Sequence, residues 1–371
     1  MKILKIYNGE VCCFVIKNIV KGTILFLVIF FIISGGLFAA EPKEMNLSQA
    51  INLALENNLN LKIANLDLEN AQIDYEKTKA NNLLTESRYI ELQGDLGLLQ
   101  AKDNYNQIRN EVIIDVVQKY LQLNQAKRNI TAKSKEAELE KNLLEEVKAQ
   151  VKAGHKGNLD LLRQENEYNN AVFDLEKAND DYHQFFTEFK LELGLNNQEE
   201  EGFNLVEVNY PKVWQIDEEE ALKKAIENSF ILELRKRQIE LAKVDLERAE
   251  VTASPELDLR KLKNNIELAN LNFNKTQKEL TNSIKKQFYT YKQTINSLEL
   301  SQQNLNQDQE SNGIIIQQVK AGLKTKNDLL SAEISLMQAE YNLKSTILNY
   351  YTTKLTLQKL IGQRIEEGQI E

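Results

Sequence analysis

Cysteine is almost missing from this chain. The two present, Cys12 and Cys13, both fall within the first 40 positions. Everything after them has neither a disulfide framework nor a thiol nucleophile. Histidine is equally scarce, at His155 and His183. His155 stands beside Lys156 where a solvated turn is expected, and His183 follows Tyr182 on a helical face as a packing or surface residue. No G-x-S-x-G, phosphate loop or metal-ligand spacing occurs. The acidic runs "NNQEEEG" and "QIDEEEA" read as solvated faces or caps. No enzyme, cofactor or metal site is therefore expected. Three prolines and fourteen glycines in 371 residues leave room for few turns, so long helices are predicted. Aromatics make up only 7%, which excludes thick layered cores and favours thin helix–helix seams. A basic surplus is lacking too. The formal charge is −9, a poor balance for binding nucleic acid.

One long hydrophobic run exists. Lys2, Lys5, Lys17 and Lys21 precede "TILFLVIFFIISGGLFAA", and Ala39 and Ala40 lead into the polar "EPKEMNLS". Residues 1–40 read as a secretory signal cleaved near Ala40. The alternative is a retained anchor, since Ile24–Ala40 is of borderline length for a bilayer span. Both readings export the chain.

The rest of the sequence repeats itself. "QVKAGHKGNLDLLRQE" at 150–165 returns as "QVKAGLKTKNDLLSAE" at 318–333. Ala50, Ala54, Glu56, Asn57 and Leu61 return as Ala221, Ala225, Glu227, Asn228 and Leu232. "LELGL" at 191–195 answers "KLIGQ" at 359–363, with Gly194 opposite Gly362. The expected organisation is a first helical repeat over 45–195, a linker over 196–216, a second repeat over 217–363 and a tail over 364–371. In the linker, "FNLVEVNY" has the pattern of a short strand.

Each repeat reads as four helices. In the first repeat these are about 47–57 with Asn46 or Ser48 as cap, about 59–81, about 95–153, and 158–193. Ile113, Val117, Tyr120 and Leu121 form one face of the third, which would span roughly 90 Å. On the fourth, Tyr168, Ala171, Leu175, Ala178 and Tyr182 keep heptad spacing, repeated by Leu336, Ala339, Leu343, Thr346 and Tyr350. That predicts an antiparallel coiled-coil hairpin, or a long helical hairpin of any other kind. Gly154 and Gly322 are expected as left-handed C-caps at the hairpin tips, and Thr325 with Asp328 has capping-box spacing.

With these features the chain resembles the TolC family of outer-membrane efflux proteins. The carriers are an opening like "LSQAINLALENNLNL", a tip of Gly with "DLL" starting six positions on, and the glycine-containing helix end, each present twice. The resemblance implies an all-α fold whose hairpins close, as a homotrimer, into a tunnel across the periplasm. It implies a periplasmic adaptor and an inner-membrane pump as partners, and a channel for efflux or type I secretion. Asp160 and Asp328 would sit near the constricted entrance with Lys324 as a latch. Gly154, Lys156, Gly322 and Thr325 would mark the adaptor-docking tips. The plainer reading makes both aspartates helix N-terminal charges and both lysines solvated. Ser331 stands where some members carry a second Asp.

The family also inserts two strands between the second and third helices of each repeat. A membrane strand needs about 9–11 residues. The gaps here, "NNLLTESRYIELQGDLGLL" and "VTASPELDLRKL", are too short for a pair, although "RYIELQGDL" looks faintly strand-like. The barrel is therefore expected to be reduced or absent. The alternative to a channel is a barrel-less periplasmic scaffold or assembly protein.

Overall fold

The computed structural model describes residues 43–195 and 203–365. The leader over 1–40, the first part of the linker and most of the tail lie outside them. The described residues fall into two units. The small one contains Lys43, Glu44, Phe203 and Asn204, which belong to two paired strands, β1 (Lys43–Met45) and β2 (Phe203–Leu205).

The large unit is helical. Its first four helices are α1 (Leu47–Asn57), α2 (Leu59–Asn82), α3 (Arg88–Lys152) and α4 (Asn158–Glu192). Four more follow: α5 (Glu218–Asn228), α6 (Phe230–Val251), α7 (Glu256–Lys320) and α8 (Lys326–Leu360). Lengths run 11, 24, 65 and 35 residues in the first set and 11, 22, 65 and 35 in the second. At 1.5 Å per residue each 65-residue helix extends about 97 Å.

Local chemistry sets the helix starts. Asn46, rather than Ser48, caps α1: its side chain accepts from Gln49 N–H while Gln49 answers the Asn46 N–H. Asn58, Asp217 and Ser229 cap α2, α5 and α6 from one side only, each accepting a backbone N–H. Side-chain oxygens thus satisfy donors that a helix start leaves open.

The helices α2 and α3 are joined by the turn 83–87, and α6 and α7 by 252–255. Neither turn contains a strand. "RYIELQGDL" is helix, so α3 begins at Arg88 and not near 95. Gly94 does not break it. A Cβ there would stand 3.2 Å from Thr78 and 3.4 Å from Tyr75, so its missing side chain lets α2 approach closely.

The hairpins are α3–α4 and α7–α8, and α8 also packs along α3. Ile113, Val116, Val117 and Tyr120 on α3 are fully buried, each stabilising by roughly 1.5–3 kcal/mol for the apolar residues. The seam is unequal between hairpins. On α8, Ala339, Leu343 and Tyr350 are buried; on α4, only Ala178 of the five predicted positions is. α8 lies against both α7 and α3, whereas α4 packs mainly on α3.

A matching tie closes each helix set. Asn57 Nδ2 donates to Leu193 O at 3.1 Å, and Asn228 Nδ2 to Ile361 O at 3.3 Å. Gly194 (φ +68°) and Gly362 (φ +66°) sit so close that an added Cβ would stand 2.5 Å and 2.6 Å from the Asn57 and Asn228 Cβ atoms.

Candidate functional site

Two regions carry the polar chemistry: the hairpin tips, and the segment 205–216 that crosses the long helices. At each tip the helix ends in a left-handed glycine. Gly154 (φ +76°) and Gly322 (φ +73°) donate to Val151 O and Val319 O, both at 3.0 Å. His155 and Leu323 N–H then donate to Gln150 O and Gln318 O at 2.9 Å. This is the Schellman closure, which needs a residue tolerant of positive φ.

The restart differs between copies. Thr325 and Asp328 form the reciprocal capping box: Asp328 N–H donates to Thr325 Oγ1 at 3.1 Å, and Thr325 N–H to Asp328 Oδ2 at 2.8 Å. In the first tip Gly157 occupies the cap, and only its N–H donates to Asp160, at 3.1 Å. Lys324 lies 3.7 Å from Asp328 of its own tip. The Thr325 backbone N–H and hydroxyl, with Lys324, hold the Asp328 carboxyl below the usual carboxylate range. Lys156 and Lys324 are both exposed, and Asp160 and Asp328 partly so. The plainer helix-cap role for the aspartates is thus satisfied within one chain. Leu159, Leu162 and Leu323 add exposed apolar side chains to the tips.

Polar ties run along the α3–α8 contact. Asn327 donates to Glu146 at 2.7 Å, Lys135 pairs with Glu333, and Arg128 Nη1 donates to Glu340 at 2.7 Å. Asn327 stands at the start of α8 and Glu146 six residues before the end of α3. The second tip therefore ends roughly 10 Å short of the first along α3.

Above these ties lies a residue that the sequence reading passed over as linker. Glu207 pairs with Arg128 of α3 and stands 3.8 Å from Lys344 of α8. Lys344 Nζ also donates to Val208 O at 2.8 Å. Burial opposes ionisation of Glu207, but Arg128 and Lys344 outweigh it and hold the carboxyl below its ordinary range. Burial pushes the Lys344 ammonium down. The segment's backbone is tied by three tyrosines. Tyr120 Oη donates to Val206 O (2.6 Å), Tyr291 Oη to Trp214 O (2.6 Å), and Tyr350 Oη accepts from Trp214 N–H (2.9 Å). Only an acidic residue directly after "LV" in a non-helical stretch signalled Glu207, too little to single it out.

An acidic cleft between α2 and α3 is lined by Asp67, Glu111, Asp115 and Glu192. Burial raises the Asp115 and Glu192 carboxyls, against the pull of Lys119. Among the described residues no His/Cys/Asp/Glu cluster could hold a metal ion, and no helix is long and apolar enough to cross a membrane.

No protein-family model and no curated protein matches the sequence. Solved structures do. The outer-membrane channel OprN is 13% identical with a TM-score of 0.63, over 85% of this chain and 89% of its own. The CmeC outer membrane channel of Campylobacter jejuni is 14% identical with a TM-score of 0.61, over 87% and 88%. The open state of the MtrE outer membrane channel of Neisseria gonorrhoeae is 14% identical at 0.59, over 88% and 91%. Identity this low establishes the fold alone. The chain has a TolC-like helical fold in which the short turns 83–87 and 252–255 join the second helix of each set to the third.

Proposed function

We propose that this chain, built on a TolC-like fold, is the conduit component of an export assembly. Three copies would set their paired hairpins side by side into a tunnel across the periplasm. An adaptor would dock at the tips around Gly154 and Gly322, and an inner-membrane pump would supply the energy. The chain itself performs no chemistry; it guides substrate passively. The observation that carries the reading is the length of the likeness, which covers 85–88% of the chain and takes in both hairpins. The tandem arrangement of two helix sets supports it, because six hairpins from three chains suffice to enclose a lumen.

Asp160 and Asp328, with Lys324 beside the second, are the gate candidates in this reading. Their caps consume part of each carboxylate's hydrogen-bonding capacity, and the partial exposure leaves an edge for a lumen. An Asp160→Asn/Asp328→Asn double variant, reconstituted, is expected to lose cation block while keeping its helical spectrum. Unchanged conduction removes the pair from the gate.

The turns 83–87 and 252–255 favour a second reading, a barrel-less periplasmic scaffold descended from the same fold. Cell fractionation with mass measurement separates the two. A trimer that leaves the outer membrane only with detergent supports the conduit. A protein released with the periplasm supports the scaffold.

A further inference from the structure

The helix α2 is apolar on two sides. Its inner side, with Leu61 and Ala64, is buried. Leu59, Ile63, Leu66 and Ile73 line the opposite side and are 42–72% exposed. A helix apolar on both sides calls for a second partner.

The internal repeat shows what kind of element covers such a face. The corresponding positions on α6 are Phe230, Leu234, Arg237 and Val244, and all four are half-buried. There α6 runs antiparallel to α3, with Arg237 at 3.9 Å from Asp95 and Glu240 at 3.7 Å from Arg88. The counterpart of α3 in the second set is α7. Among the described residues α7 packs along α5, α6 and α8 and not along α2. Its side equivalent to the α6-facing side of α3 is open, and Leu268 and Leu271 are 57% and 56% exposed.

The two open faces match in register. Carried through the repeat, the contacts of α6 with α3 set Leu66 of α2 beside Lys263 of α7. Within one helical turn of that register, Leu59 comes level with Leu271 and Ile63 with Leu268. The charges agree, since Lys62 then stands opposite Glu267 and Glu69 opposite Arg260.

We propose that the outer face of α2 docks on α7 of a second copy of this chain, antiparallel and in that register. The contact is heterologous, so each copy gives α2 to one neighbour and α7 to the other. Copies are thereby joined helix to helix at the end of the molecule that carries the turns 83–87 and 252–255. The inference rests on the reading that several copies assemble, and it names the faces and the register through which they do.

The test is disulfide trapping between two co-expressed full chains that carry different tags. Cys12→Ser and Cys13→Ser remove the native thiols. One chain carries Ile63→Cys and the other Leu268→Cys, both at exposed positions. Oxidation is expected to yield the mixed disulfide in large excess over disulfides between chains of one kind. Ile63→Cys against Leu257→Cys, about three turns out of register, is expected to yield none. Lys62→Glu is expected to weaken self-association roughly two- to fivefold, and Glu267→Lys in the same chain to restore it, read by mass at graded concentrations. Trapping between chains of one kind indicates a symmetric contact and overturns the docking. An oligomer that gives no mixed disulfide overturns it too, while the conduit reading stands. A chain that stays monomeric at every concentration removes both.

Discussion

Four glycines among the described residues share a left-handed backbone, and they fall into two pairs with opposite surroundings. Gly154 and Gly322, at the tips, have nothing within 4 Å of an added Cβ. Gly194 and Gly362, at the closing ends, are pressed against Asn57 and Asn228. The tip glycines are thus closed by local hydrogen bonds and face open space. The closures are shaped by packing between residues more than 130 positions apart. The same backbone device serves an accessible end in one place and a fixed end in the other.

Substitution at the crowded pair should break that contrast most visibly. Gly194→Ala or Gly362→Ala combines a disfavoured φ with overpacking, and is expected to cost about 2–4 kcal/mol in denaturant unfolding. Gly154→Ala or Gly322→Ala incurs only the backbone penalty, about 1 kcal/mol, with no change in the packing around α1 and α5. Equal losses in the two pairs would show that the tips are packed in solution.

Two residues other than glycine, Glu86 and Ala253, are also left-handed among the described residues, and the second sharpens the point. Ala253 (φ +52°) closes α6 by donating to Glu250 O at 3.1 Å, a position that suits glycine. Ala253→Gly is expected to raise stability by up to about 1 kcal/mol, read as a higher melting temperature.

The smallest effect concerns Asp115. Burial raises its folded pKa, so its ionised form is disfavoured in the fold. The relative stability it lends is complete below the unfolded pKa and is lost as pH rises through the folded one. Asp115→Asn should therefore stabilise slightly at neutral pH, and the gain should vanish below about pH 4. Melting curves across that range check the sign.

What the sequence made readable was what it encodes within a few residues. The Thr325–Asp328 box, the tip glycines and the buried face of Ile113, Val117, Tyr120 and Leu121 all follow from spacings of three or four. The long-range pairings were visible only as repetition. Asn57 and Asn228 recur, as do Gly194 and Gly362, yet no local rule joins an asparagine to a glycine so far along the chain. The start of α3 at Arg88 is obscured in the sequence, since Gly94 and Gly97 weaken helical propensity there. The close approach of Thr78 and Tyr75 accounts for the first of these. Glu207 went unnoticed for the opposite reason. It belongs to no periodic element, and its meaning depends on Arg128 and Lys344 meeting across two helices.

The turn at 252–255 has a practical side. The chain enters it from α6 and leaves it into α7 with the two helices already in contact. Extra residues grafted there lengthen a loop whose closure costs only about 0.6 kcal/mol more for each doubling. The tips lie a full 65-residue helix away. An affinity tag, a fluorophore or a foreign domain can therefore ride on this corner and report on the molecule without touching the end where partners are expected to meet it.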